Sequence, residues 1–190
     1  MFKRLLIVVI VLLMHVGLAG AETYDGNCAI RFFGDSTLHG FEGKAACEPF
    51  SLVREQEAEL IHQPMITVRV ASMDTDNGSR DKKMRKMFDS QNYPVIEGDF
   101  ADLDPEKVLQ QMQAAGEQPG QLPFKLKIRD QVQPVAAKVY DLQVSPEAIT
   151  FTLKFAVSLK SFSLEAPGVL GIIRVADQVD VEVDATLQRH

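Results

Sequence analysis

The chain has 190 residues, 46% of them hydrophobic and 24% charged, a composition that fits one globular domain and excludes a disordered chain. A chain of this length can bury enough apolar surface to fold without a metal or a dense disulfide frame. Its formal net charge of −6 argues against a general nucleic-acid binder, which needs a basic footprint.

Residues 1–21 read as a signal peptide. Lys3 and Arg4 precede the apolar run Leu5 to Leu13, and Leu18-Ala19-Gly20-Ala21 supplies a small-residue ending for cleavage after Ala21. The run is short for a bilayer span, and Glu22 stands where a lipoprotein would carry cysteine. The expected mature chain, 22–190, is a single domain of 169 residues. Losing Lys3 and Arg4 moves its net charge from −6 to −8. Its expected location is the periplasm or the exterior.

Export makes a disulfide the default for the two cysteines, Cys28 and Cys47. If Thr37-Leu38 is the middle of a hairpin, residues whose numbers sum to 75 face each other, and Cys28 meets Cys47. Closing that loop is worth about 3 kcal/mol. Two cysteines alone lack the ligands of a structural metal site, and there is no C-x-x-C redox motif.

Period-2 alternation then runs through the chain. Ile30, Phe32 and Gly34 share one face of a first strand, and His39 to Cys47 forms the return strand. Ile66, Val68 and Val70 mark a third strand, and Ile96, Gly98 and Phe100 a fourth. Phe124, Leu126 and Ile128 alternate with Lys125, Lys127 and Arg129 in a fifth. Val135, Ala137 and Val139 mark a sixth. Ile149 to Leu159 makes the longest run, and Val179, Val181 and Val183 alternate with acids in the last. Eight strands with one wet and one dry face suit an antiparallel barrel or sandwich.

Two helices interrupt them. Asp104-Pro105-Glu106 starts one that Gly116 ends. The other follows Asn77-Gly78-Ser79 and runs from about Arg80 to Asp89, with Met84, Met87 and Phe88 on one face. Arg80, Lys82, Lys83, Arg85 and Lys86 cover the rest, a concentrated basic patch on an acidic chain.

The segment from Ser72 to Pro94 resembles the YceI-like family, with Arg80, Asp81, Met84, Phe88, Asp89, Tyr93 and Pro94 at the family's motif places. Thr37 to Gly43 and Val175 to Val179 are weaker matches. The resemblance implies an all-β fold: an eight-stranded antiparallel lipocalin-like barrel with one or two short helices. It also implies an apolar ligand along the barrel axis, a polyisoprenoid or a fatty-acid-like chain. The Cys28–Cys47 pair and the Asp104–Gly116 insertion depart from the family's common pattern.

The candidate ligand-binding residues are Phe32, Val68, Met84, Met87, Phe88, Phe124, Phe151 and Phe155. Taken singly, each barrel residue among them reads first as ordinary core, because small barrels fill with side chains; the ligand reading gains from the set, since several apolar strands enclose a volume. Met84, Met87 and Phe88 either gate a mouth or plug it. Arg80, Lys82, Lys83 and Lys86 are candidates to meet an anionic headgroup or, transiently, a membrane surface; the alternative is a solvated face. Enzyme signals are poor: no G-x-S-x-G, H-E-x-x-H or phosphate loop occurs. Asp74 to Arg85 fails as a calcium loop because arginine occupies the closing position. The expectation is therefore an exported, non-enzymatic carrier of a long-chain amphiphile. It should need no metal and no cofactor other than a bound lipid, and should bind no nucleic acid. The rival is a structural or protein-interaction module with a filled barrel. Oligomeric state stays open.

Overall fold

The computed structural model describes residues 22–54, 65–100, 110, 119–166 and 175–190. The expected signal peptide, and the expected Asp104–Gly116 helix apart from Gln110, lie outside the described residues. The strands are β1 (Glu22–Ser36), β2 (Phe41–Ala46), β3 (Phe50–Arg54), β4 (Met65–Arg69), β5 (Val95–Asp99), β6 (Gly120–Ile128), β7 (Gln131–Val144), β8 (Ala148–Ser158) and β9 (Val175–Arg189). Helix α1 (Gly78–Met87) lies between β4 and β5, and 3-10 turns occupy Val70–Ser72 and Lys160–Phe162.

The strands pair antiparallel in the order β2-β1-β9-β8-β7-β6-β5-β4. The two ends of that row nearly meet. Cys47 bridges Val68, the Glu48 amide donates to the Thr67 carbonyl at 2.8 Å, and Lys44 and Asp74 exchange backbone hydrogen bonds at 2.7 and 2.9 Å. The sheet is thus a nearly closed barrel, and the Ser72–Thr75 stretch helps to seal its seam.

The ninth strand does not add a ninth stave. β2 and β3 both pair with β1, one along Ala29–Gly34 and the other along Glu22–Gly26. Paired residue numbers sum to 75 in β2 and to 76 in β3, so one extra residue is accommodated between Cys47 and Phe50. Pro49, which has no N–H to donate, sits in this bulge. β2 and β3 form one broken strand, and the expected eight-stranded barrel stands.

Alternation decides which side chains enter. β6 is the clearest case: Leu122, Phe124, Leu126 and Ile128 are buried while Gln121, Lys125 and Lys127 face out. The outer face carries cross-strand ion pairs that match the register, Arg31–Glu182 at 2.8 Å, Lys154–Glu182 at 2.7 Å and Lys127–Glu97 at 2.6 Å. Such exposed pairs are worth at most about 1 kcal/mol each; opposite charges directly across a ladder favour this register over a slipped one.

Some element ends differ from the expectation. Val70 is not in the third strand: β4 stops at Arg69, and Val70 starts a turn, 1% exposed, with its amide donating to the Pro94 carbonyl at 2.9 Å. The return strand starts at Phe41 and not at His39. The Ser36 hydroxyl donates to the His39 carbonyl at 2.8 Å and holds residues 36–39 as a turn. α1 starts two residues early, at Gly78, because the Asn77 side chain caps it by accepting from the Arg80 amide at 3.1 Å. It ends at Met87, with Phe88 as its C-cap.

Cys28 and Cys47 form a disulfide with a Cα–Cα distance of 5.4 Å. The hairpin arithmetic placed them correctly, since Ala29 pairs Ala46 immediately beside them.

Candidate binding cavity

The inward residues stack in cross-strand layers. Gly34, Val179 and Val157 form a layer near α1; Phe32, Val181 and Phe155 form the next; Ile30, Val183 and Leu153 follow; Cys28, Ala185 and Phe151 come last. The upper layers enclose a cavity of about 460 Å³ with aliphatic and aromatic walls.

Two glycines help to keep that space empty. Phe32 pairs with Gly43, and a Cβ on Gly43 would sit 2.1 Å from the Phe32 Cζ. Gly34 pairs with Phe41 in the same way, at 2.5 Å. Each ring lies flat on the strand opposite, where only glycine leaves room. A ring flat on the wall occupies less of the lumen than one standing into it.

The mouth lies at the α1 end. Its rim joins the Ser36–His39 turn, with Leu38 66% exposed, to the first turns of α1. Ser36, His39, Asn77, Ser79, Arg80 and Lys83 contribute the polar part of the rim. Arg80 places its guanidinium carbon 4.5 Å from the centre of the Phe41 ring, a cation–π contact that holds a positive charge at the entrance.

α1 is anchored by Asp81, a charged group only 5% exposed. One of its carboxylate oxygens accepts from the Thr75 amide at 3.0 Å and from the Thr75 hydroxyl at 2.6 Å. This ties the helix to the seam-sealing stretch. Across the mouth, Asp177 accepts from the Ser158 hydroxyl at 2.7 Å and from the Lys160 amide at 2.9 Å. The Ser158 hydrogen bond first, and the Lys160 amide second, hold its carboxyl below the ordinary value of 3.8.

Of the residues expected to bind ligand, Phe32, Val68, Met84, Met87, Phe88 and Phe155 line the cavity. Phe124 and Phe151 are not among its walls. Phe124 stacks on Phe100 with centroids 4.8 Å apart and meets Phe155 edge-on at 5.3 Å, and Phe151 packs beside the disulfide. Of the basic residues, Arg80 and Lys83 reach the cavity, whereas Lys82 and Lys86 are exposed and outside it. The aliphatic walls Ile96, Leu126, Ile128 and Val157, and the rim residues Leu38 and His39, were not singled out from the sequence. The walls carry the same alternation signal as the aromatics. The rim residues fall in the weakly matching Thr37–Gly43 stretch, where nothing local marks them as facing a cavity.

A nearly closed antiparallel barrel around an apolar cavity, with a helix at its mouth, is a lipocalin-like barrel. Residues 27–187 match the YceI-like domain, and the chain belongs to the YceI-like family. No curated protein matches the sequence. Among solved structures, BcnA of Burkholderia cenocepacia is similar at 16% identity, with a TM-score of 0.59 over 84% of this chain and 95% of that one. A polyisoprenoid-binding domain from Saccharophagus degradans, implicated in plant cell wall breakdown, is similar at 12% identity, with a TM-score of 0.60 over 86% of this chain and 97% of that one. At these identities the likeness is one of fold.

Proposed function

We propose that the mature chain is an exported, non-enzymatic carrier of a long-chain amphiphile, a polyisoprenoid or a fatty-acid-like lipid, held tail-first in the barrel. The observation that carries this reading is the apolar cavity of about 460 Å³, open beside a basic helix. Lipid pockets are apolar with a few placed polar groups, and the rim supplies such groups in Arg80 and Lys83. The polyisoprenoid-binding domain of the same fold supports the ligand class. Export is supported by the disulfide and by the leader-like residues 1–21.

The rival, a filled barrel, would show a solid interior. Space on this scale argues against it, because packed cores hold few voids larger than a water molecule. Lys82 and Lys86, outside the cavity, take the second role weighed for the basic face, transient contact with a membrane surface during exchange. The deciding experiment is mass spectrometry of material extracted by organic solvent from protein purified from the periplasm. A stoichiometric amphiphile is expected. Protein that carries none, and that takes up no lipid when mixed with one, refutes the reading.

A further inference from the structure

Leu38 is the most exposed large hydrophobic side chain among the described residues, at 66%, and it borders the cavity mouth. The other exposed ones, Val53, Met65, Val132 and Val144, lie away from the cavity. The turn that carries Leu38 is pinned. The Ser36 hydroxyl donates to the His39 carbonyl at 2.8 Å and accepts from the Leu38 and His39 amides at 3.4 and 3.3 Å. On the same rim Lys83 is exposed, and Lys82 and Lys86 flank it on one side of α1, at helical spacing. Lysines of the barrel wall are matched to acids in register, Lys127 to Glu97 and Lys154 to Glu182. Among the described residues Lys82, Lys83 and Lys86 form no ion pair. The acids at the start of the helix are engaged elsewhere: Asp81 is buried on Thr75, and Asp76 faces Lys44 at 4.0 Å. An acidic chain thus presents unmatched positive charge beside an exposed leucine, at the one opening of the cavity described above.

We propose that this rim docks on an anionic bilayer. Leu38 enters the boundary between headgroups and acyl chains, and Lys82, Lys83 and Lys86 meet the headgroups. The cavity then opens onto the membrane, and ligand passes by contact and not through water. The inference rests on the carrier reading and deepens it, by fixing the footprint and the route of transfer. Contact matters for rate: each methylene that must cross water slows release about fourfold, so a tail of about ten methylenes is slowed about a millionfold. Each lysine near an anionic surface strengthens docking about fivefold.

The test has two arms, both on the mature chain. In the first, protein is sedimented with vesicles of phosphatidylcholine alone or mixed with phosphatidylglycerol. Binding is expected to the mixed vesicles at low salt, and to fall at high salt as the charges are screened. Lys82→Glu with Lys86→Glu should weaken it at least about twenty-five-fold, and Leu38→Asp at least about tenfold. In the second arm, a fluorescent fatty acid moves from the protein to the mixed vesicles. The rate should rise in proportion to vesicle concentration, and should fall in the Lys82→Glu, Lys86→Glu variant while its Kd for the fatty acid stays that of the parent. Thermal unfolding checks that each variant is folded. No binding to the mixed vesicles, binding untouched in both variants, or a transfer rate independent of vesicle concentration overturns the docking while the carrier reading stands. A protein that never takes up the fatty acid overturns the carrier reading and transfer by contact with it.

Discussion

Gly43→Ala is the smallest substitution that should close part of the cavity. The new Cβ would lie 2.1 Å from the Phe32 Cζ, whereas carbons in contact sit about 3.5–4.0 Å apart. The ring tip must therefore move by about 1.5 Å. The sheet is behind it, so it moves into the lumen. Displacing two to three methylenes of a bound chain loses about 2 kcal/mol at about 0.8 kcal/mol each, a roughly thirtyfold weaker Kd. Fold stability should barely change. Replacing a strand glycine contributes about 0.5–1 kcal/mol, which offsets a rotamer cost of about 0.5–1.5 kcal/mol for the ring. Titration with a fluorescent long-chain fatty acid, alongside thermal unfolding, reads both. Unchanged affinity in a folded variant would show that the ring does not border the ligand. A Tm loss of more than about 8 °C, at about 2–4 °C per kcal/mol, would show that the ring has no empty space to enter and that the interior is solid.

Other outcomes follow from the same geometry. Thiol titration of unfolded, unreduced protein from the periplasm should find no free cysteine, and Cys28→Ser with Cys47→Ser should lower stability by about 3 kcal/mol; two free thiols in the parent contradict the pairing. Asp81→Ala strips the buried Thr75 amide and hydroxyl of their acceptor and should cost about 2–3 kcal/mol in denaturant unfolding; a change below about 0.5 kcal/mol would place α1's anchorage elsewhere. Asp177 has a lowered pKa in the fold, so its carboxylate adds stability above 3.8 that is lost as pH falls through the lowered value. The Asp177→Asn variant should accordingly show a shallower acid-side fall in Tm than the parent, and parallel curves would dismiss this contribution. Arg80→Glu with Lys83→Glu should weaken retention of an anionic lipid at least about tenfold, while Lys82→Glu with Lys86→Glu leaves retention unchanged; equal losses in both pairs would mean that the patch acts as a diffuse field and not as a headgroup site.

Much of this architecture was legible because it is local. The period-2 runs in β6 and β9 mark inward and outward faces whatever their partners are, and the β1–β2 register follows from one turn, which is how Cys28 found Cys47. β3 escaped notice because Phe50–Arg54 is short and begins after a one-residue slip at Pro49 that breaks the register arithmetic. Val70 continues the alternation of Ile66 and Val68 yet leaves the strand, because its amide finds the Pro94 carbonyl, a partner 24 positions away in the chain.

The sequence by itself determined the one-sided antiparallel strands, the Cys28–Cys47 pairing and the basic helix, since alternation, turn chemistry and charge are properties of neighbours along the chain. Alternation suited barrel and sandwich alike, and closure came from contacts between segments far apart in sequence, Cys47 with Val68 and Lys44 with Asp74. Whether the barrel is hollow was decided only in three dimensions. Phe32, Phe124 and Phe155 carry the same inward signal, yet Phe32 lies against Gly43, Phe124 stacks on Phe100 away from the cavity walls, and Phe155 lines the cavity while meeting Phe124 edge-on. Alternation fixes the direction of a side chain but not the tilt of its ring. Tilt depends on the residue facing it from a strand far away in sequence, and the remaining volume is the sum of those tilts.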